Sequence, residues 1–470
     1  MEINKKCQVF TPPNYVNILL DEIGYNRSIY GKSFLENSCG TGNVLEEAVR
    51  RYLKDCRRLG LTDVEIKRGL RRDICGVEID SKKIKICKKR LSNIAKEYGL
   101  TGVRWNIIDA NYLKLDPAKK FDFISGNPPY INYYEIDDNE LEYIRGRFSS
   151  CKKGKADYCY AFVEKSIEEL SDSGKMSYLI PSSMFKTVSG EVIRDLLKPD
   201  LKKIIDYSDG KIFKNALVKS SVIVVDKRKN NSIAYELPSC KQSKRILKSS
   251  LDKKWVFSDN NKGSNRFGDF YKASHVVATL KNDVFALSDP TDKDKKYLYF
   301  GKNRIEKGIL RKSASPKALQ QGKDEWLIFP YRYSGGKLVR YSEEDLKQTY
   351  PYAYIYLSEN KAELEARDAD ETAKWFEFGR SQALEKINRE KLLLSSIVTK
   401  KVEVFMLGAR NIPYAGIFIL PKTTNNNYSL FRAKELLESD RYYEYVTDVG
   451  VSISGTSYRI TSKDIENYRF

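Results

Sequence analysis

The segment "FDFISGNPPYINYYEI", residues 121–136, holds an apolar run that stops at Gly126 and gives way to Asn127-Pro128-Pro129-Tyr130. Two adjacent prolines remove two backbone donors and keep the chain in extended or turn geometry. The spacing predicts a strand over 121–126 that ends in a stiff loop. An amide side chain stands just before the stiffened stretch and a phenol just after it.

The same strand-then-loop pattern recurs upstream. "KSFLEN" (32–37) reads as a strand, followed by a glycine-containing turn and a helix from Asn43 to about Tyr52. "RDICGVEID" (72–80) is a second strand, leading into a lysine-rich helix, and "GVRWNIID" (102–109) is a third. Downstream, a helix over 158–170 leads to the strand "GKMSYLIP" (174–181). A helix at 191–197 follows, then the strands "KKIIDYS" (202–208) and "SSVIVVD" (220–226). Alternation of this kind predicts an α/β fold with a mixed, mostly parallel sheet. Around 227–254 it breaks into a polar, basic stretch that reads as a linker. Beyond it the pattern is less regular, as in an α+β domain. Two domains are expected, 1–235 and 236–470, each of ordinary size.

Charge narrows the partners. The 470 residues carry 83 Lys+Arg against 63 Asp+Glu, a formal net charge of +20. Such a field favours a polyanion, and nucleic acid is the expected one. No apolar stretch approaches the roughly 20 residues that cross a bilayer, and the N-terminus lacks the apolar segment of a secretory signal. Eight cysteines show no CxxC pair, and His275 is the only histidine. A His-based zinc site or catalytic triad is excluded, and a disulfide framework is not expected. The expectation is a reduced, cytoplasmic protein without a metal or a membrane partner.

Four successive strand ends carry chemistry. Glu36 closes the first and is followed by Gly40-x-Gly42; Glu78 closes the second; Asp109 closes the third; Asn127 follows the fourth. Ligands of such sheets bind outside the carboxyl ends of the strands. A glycine pair alone marks no more than a strand–helix turn, and a lone strand-end acid is usually solvated. Three acids at three successive ends suit a ligand with a cationic end and an adenosine. Glu78 could take the ribose hydroxyls and Asp109 the adenine amine, which points to S-adenosyl-L-methionine. The loop then has a task. An aromatic exocyclic amine is a poor nucleophile because its lone pair is conjugated with the ring. The Asn127 side-chain oxygen and the Pro128 carbonyl can each accept one of its N–H groups, drawing the nitrogen toward tetrahedral geometry, while Pro129 stiffens the turn and Tyr130 offers a stacking face.

With these residues in view, the chain resembles the gamma-class, Taq-type DNA adenine-N6 methyltransferases. In that family a Rossmann-like cofactor domain precedes a target-recognition domain. "VFTPPNYVNILLDEI" (9–23) is similar to the family's N-terminal motif and implies that Thr11 helps to bind the methionine part of the cofactor. "LENSCGTG" (35–42) matches the cofactor loop, implying contacts from Glu36, Cys39, Gly40 and Gly42, while "VEID" and Asp109 match the ribose- and adenine-binding positions. Asn37 stands where a proline is common. Ala110 stands where the family often has an aromatic, so Ile79 is the candidate for that wall of the adenine pocket. "GKIFKNALVKSSVIVV" (210–225) puts Phe213 where the family stacks the flipped base.

The resemblance implies methyl transfer to N6 of an adenine flipped out of duplex DNA, by a monomer that serves as the modification component of a restriction–modification system, with cleavage left to a separate endonuclease. Cytosine-N4 and protein-glutamine methylation use the same loop geometry and are the alternatives. The intact loop argues against a non-catalytic DNA-binding subunit, and no Asp…Glu-x-Lys cluster suggests a nuclease. In the second domain Arg332, Arg380 and Arg459, each among Gly, Ser or aromatic neighbours, are the expected DNA contacts.

Overall fold

The apolar runs of the first half become one sheet. The structure, a computed structural model, describes residues 11–470 apart from 117–118, 132, 156, 208–218, 259–260, 423–427 and 455. It divides into two units, Met1–Phe257 and Ser258–Phe470. In the first, the strands are β1 (Phe34–Glu36), β2 (Ile74–Glu78), β3 (Asn106–Asp109), β4 (Phe121–Gly126), β5 (Leu170–Pro181), β6 (Leu201–Asp206), β7 (Ser220–Asp226), β8 (Ser232–Leu237) and β9 (Gln242–Leu247). Among the described residues they form a sheet in the order β3-β2-β1-β4-β5-β7-β6-β8-β9. The five strands from β3 to β5 in that order run parallel to one another, whereas β7 runs antiparallel to β5 and β6. The chain moves outward from β1 to β3, then returns to β4 on the other flank of β1. That reversal opens a crevice at the carboxyl ends of β1 and β4.

Both faces of the sheet are covered, which is why its strands read as apolar runs and not as alternations. Successive residues point to opposite sides. Phe34, Ile74 and Val222 join one core, and Leu35, Cys75 and Ile223 join the other. On the first side lie α1 (Pro13–Glu22), α2 (Asn43–Arg58), α3 (Asp63–Asp73) and α4 (Ser81–Glu97). On the second lie α5 (Asp138–Arg147), α6 (Tyr158–Glu169) and α7 (Glu191–Leu197). Helix α3, which the apolar pattern alone did not mark, starts on a capping box between Thr62 and Glu65. Among the described residues no helix is long and apolar enough to cross a membrane.

The segment 227–254 is not a linker, and the first unit does not stop at 235. Strands β8 and β9 extend the sheet, and their half-exposed edge position explains the polar, basic sequence that disguised them. Trp255 is buried, its amide donating to the Phe185 carbonyl at 2.9 Å, and Phe257 stacks on Tyr235 with centroids 4.5 Å apart. The buried Arg194 guanidinium donates to the carbonyls of Met184, Thr187 and Lys253, tying the last stretch to α7. The unit ends only after these contacts are made.

The second unit is α+β. A four-stranded antiparallel sheet orders Tyr271–His275, Ile417–Pro421, Lys391–Leu394 and Val404–Leu407, with several smaller sheets and short helices around it. Its main core gathers Phe285, Leu327, Phe329, Leu357, Phe378 and Phe418. Lys391 is wholly buried, donating to the carbonyls of Gly408 and Asn411 at 3.0 and 2.9 Å, and burial lowers its ammonium to about 8.

Candidate active site

The parallel register brings the three acids to one end of the sheet. Glu36 ends β1 opposite Gly76, and Glu78 and Asp109 are direct partners at the ends of β2 and β3. Glu36 is buried, and its Oε2 accepts the Leu45 amide, in the first turn of α2, at 3.0 Å. Burial pushes its carboxyl well above the usual carboxylate range. Among the described residues it forms no ion pair. A buried acid of this kind is suited to a cationic group brought by a ligand.

Glu78 does more than wait for a ligand. Its Oε2 accepts the Gly40 amide at 2.8 Å, and its Oε1 accepts the amides of Ile79 and Asp80 at 3.1 and 3.0 Å. It thereby fixes the turn between β1 and α2. The two glycines of that turn serve different ends. Gly40 has φ +52°, and a β-carbon there would meet nothing within 4 Å, so its backbone faces open space. Gly42 has φ +92° and sits so close to α4 that a β-carbon would lie 2.7 Å from Cys87 Sγ. Cys39 is buried with its thiol toward Cys87, so only its backbone is left to face a ligand; the amide already donates to the Val77 carbonyl at 2.9 Å. Asp109 is exposed and accepts the Ser81 hydroxyl at 2.6 Å, and Ile79 presents an exposed apolar side chain beside Glu78.

Two residues that the sequence reading passed over brace this turn. Asn43 Nδ2 donates to the carbonyl of the buried Thr11 at 3.3 Å. Arg90 reaches from α4 to the Thr41 carbonyl, the Thr41 hydroxyl and Asn43 Oδ1 at 3.1, 3.0 and 2.8 Å, and also pairs with Glu46. Thr11, Asn43, Glu46 and Arg90 line a cavity of 180 Å³. The signal in the sequence is slight: Arg90 is the lone arginine in a helix otherwise rich in lysine, at a place where a forked donor is needed.

The Asn-Pro-Pro-Tyr loop leaves β4 beside the acid of β1. A β-carbon at Gly126 would lie 3.5 Å from Glu36 Cγ. The Ser38 hydroxyl donates to the Asn127 carbonyl at 3.3 Å, joining the two loops directly. Pro128 is buried, and Asn127, Pro129 and Tyr130 are half-buried. Tyr130 packs on the second-side core with its hydroxyl toward Ser220, and burial raises that hydroxyl well above its usual value. The Tyr158 amide donates to the Ile131 carbonyl at 3.2 Å, so the loop is also anchored on the start of α6. Asn37, far from being idle where proline is common, is buried and donates to Ser166 Oγ at 2.9 Å and to the Tyr178 hydroxyl at 2.5 Å. Tyr178 lies opposite Gly126 in the sheet, so one side-chain network supports both loops.

One end of the sheet thus collects Thr11, Glu36, Cys39, Gly40, Gly42, Glu78, Ile79, Asp109 and Asn127–Tyr130. Phe213 lies outside the described residues. The three arginines of the second unit lie on separate elements. Arg332 is exposed on the strand Tyr331–Ser334, over the Tyr341 ring at 5.8 Å. Arg459 is exposed on Ser457–Arg459. Arg380 is held by Asp368 and Asp370 at 2.9 and 3.1 Å, so its charge is partly spent within the unit.

Known proteins resemble this chain in sequence and in fold. Residues 72–213 match the family model described as Eco57I restriction-modification methylase. The type II restriction enzyme and methyltransferase RM.Eco57I of Escherichia coli is 23% identical over 380 residues, covering 70% of this chain and 38% of that protein. The type II methyltransferase M.BstVI of Geobacillus stearothermophilus is 29% identical over 236 residues, 47% of this chain and 42% of the relative. The chain spans well under half the length of these two relatives. Among solved structures, the type IIL restriction-modification enzyme MmeI in complex with DNA aligns over 97% of this chain and 64% of its own, with a TM-score of 0.60 at 15% identity, a likeness of fold. Over the matched residues the chain is similar to Eco57I-type restriction-modification methylases and homologous to type II methyltransferases.

Proposed function

We propose that this protein is an S-adenosyl-L-methionine-dependent DNA methyltransferase that modifies N6 of an adenine flipped out of duplex DNA, as the modification activity of a restriction–modification system. The observation that carries the reading is the placement of the Asn127-Pro128-Pro129-Tyr130 loop beside the buried Glu36, at the sheet's reversal point, with Glu78 and Asp109 on the adjoining strand ends.

The donor set fits the cofactor. Glu36 is a buried carboxylate suited to a cation, the Gly40 backbone borders open space, and Asp109 and Glu78 are acceptors at nucleoside-binding positions. Glu36 and Thr11 would hold the amino-acid end, Glu78 the ribose, and Asp109 with Ile79 the adenine. The bound cofactor supplies an electrophilic methyl group on a sulfonium. The chain supplies orientation: Asn127 Oδ1 and the Pro128 carbonyl accept the two N–H groups of the target amine and raise electron density on its nitrogen. Pro128 and Pro129 limit the motion of those acceptors, so little reorganisation is left for the reaction itself. Tyr130, and Phe213 by resemblance, stack on the base. We further propose that the enzyme acts as a cytoplasmic monomer, that Arg332, Arg380 and Arg459 contribute DNA contacts, and that a separate endonuclease carries out cleavage.

The reading is tested by incubating the protein with tritiated S-adenosyl-L-methionine and bacterial genomic DNA, then digesting to nucleosides. Label in N6-methyl-2′-deoxyadenosine that is absent with Asn127→Ala supports it. Label in N4-methyl-2′-deoxycytidine overturns the base assignment, and label in protein alone overturns the substrate.

A further inference from the structure

Immediately beyond the Asn-Pro-Pro-Tyr loop the first unit exposes a second feature that the proposed reaction does not use. Tyr134 is 72% exposed, an unusual condition for so large a ring. Lys155 Nζ stands over it, 4.5 Å from the centroid, and also bonds its hydroxyl. Tyr133 meets Tyr134 edge-on at 5.5 Å. Arg145 lies over the Tyr133 ring, donating to its hydroxyl at 3.0 Å and to the Gly154 carbonyl at 3.4 Å. The segment Lys152-Lys153-Gly154-Lys155 is therefore laid against the tyrosines that follow the catalytic loop. All four of its residues are exposed, and Gly154, at φ +73°, leaves the backbone bare. None of the three lysines forms an ion pair among the described residues, in contrast to Arg145's neighbour Arg147, which pairs with Glu168. The acids Glu135, Asp137 and Asp138 follow the tyrosines, and Asp137 is taken up in capping α5; segment 152–155 itself contains no acid.

We propose that Lys152, Lys153, Lys155 and Tyr134 form a nucleic-acid contact strip on the catalytic unit itself, distinct from the arginines of the second unit. This inference rests on the DNA-methyltransferase reading. Lysines free of carboxylates suit phosphodiester oxygens, and an exposed aromatic ring with a cation on it suits a base face or a sugar. The strip is tied to the catalytic loop: the Tyr158 amide donates to the Ile131 carbonyl, and Arg145 links Tyr133 to Gly154. A DNA backbone seated here fixes the loop's position at the moment the base enters. The chemistry is that of phosphate positioning without base readout.

The test is fluorescence anisotropy of the full chain with a labelled 30-base-pair duplex of arbitrary sequence, repeated at several salt concentrations. Each phosphate contact adds about 0.9 to the slope of log affinity against log salt. The triple variant K152Q/K153Q/K155Q is expected to reduce the slope by roughly 2 to 3 and the affinity at low salt by at least about tenfold. Tyr134→Leu is expected to weaken binding with the slope unchanged. The control K82Q/K85Q/K89Q removes the same charge from the outer face of α4 and is expected to change the slope by less than about 1. Equal slopes for the wild type and the strip variant, with DNA bound by both, overturn the strip and leave the methyltransferase reading intact. An equal effect from the α4 control reduces the strip to bulk charge and overturns it. Failure of the wild type to bind duplex DNA at any salt overturns both proposals.

Discussion

At the scale of single residues, Asn127 and Glu36 have separable tasks. In the proposed reaction Asn127 acts on the amine of the target, so Asn127→Ala should lower kcat by about 10²- to 10³-fold, the usual effect of losing one preorganised polar group. Cofactor and DNA affinity should change by less than about threefold; calorimetry and anisotropy measure both beside single-turnover kinetics. Glu36 is proposed to bear instead on the cofactor. Glu36→Gln keeps the side chain's shape and its acceptor for the Leu45 amide, but removes the charge. We expect cofactor affinity to fall about 10- to 100-fold while the unliganded protein gains stability near neutral pH, because a buried carboxylate without a counter-ion is costly. These two residues were legible in the sequence because strand ends and proline pairs leave local marks. The roles of Ser38, Asn43 and Arg90 were not. Each depends on a partner 30 or more residues away, Asn127, Thr11 or Thr41, and no local pattern encodes that meeting. Cys39 and Gly42 show the converse: both lie in a recognisable loop motif, yet the structure gives their side of the turn to packing against Cys87.

At the scale of elements, α6 shows how capping and titration combine. Asp157 is its N-cap, accepting the Cys159 amide at 3.0 Å, and burial pushes its carboxyl up to about 7. The folded protein thus holds this proton more tightly than the unfolded chain does. The stability it contributes is fully present below about pH 4, the unfolded value, and is lost as pH rises through about 7. Asp157→Asn keeps an acceptor for the cap and removes the titration. Urea midpoints measured from pH 5 to 8 should therefore decline less with pH in the variant than in the wild type. Measured against Asp157→Asn, Asp157→Ala should be less stable by about 1 kcal/mol at all pH values through loss of the cap. Most elements of the first unit were evident from their apolar runs, since a two-sided core demands them. The edge pair β8 and β9 was not. Half-exposed edge strands carry polar and lysine-rich sequence, which a reading based on hydrophobic runs takes for a connector.

At the scale of the whole molecule, the two units differ in how far sequence could describe them. The sheet of the first unit follows from repeated strand–helix alternation, but its end does not, because Trp255 and Phe257 make their contacts with Phe185 and Tyr235 and not with near neighbours. Residues 1–257 expressed alone should fold cooperatively and bind the cofactor. A fragment ending at 235 loses β9, both aromatics and the Lys253 carbonyl that receives Arg194, and should be insoluble or unfolded by circular dichroism. In the intact chain Trp255→Ala should cost about 3–5 kcal/mol. The short strands of the second unit, paired across long sequence distances, left no comparable trace. The most direct measurement for the entire chain is single-molecule modification sequencing of DNA from cells that express the protein, beside cells that express Asn127→Ala. N6-methyladenine confined to one short motif, and lost in the variant, is the expected result. Undiminished methylation in the variant, or no modified base with the wild type, would contradict the role assigned to the loop after β4.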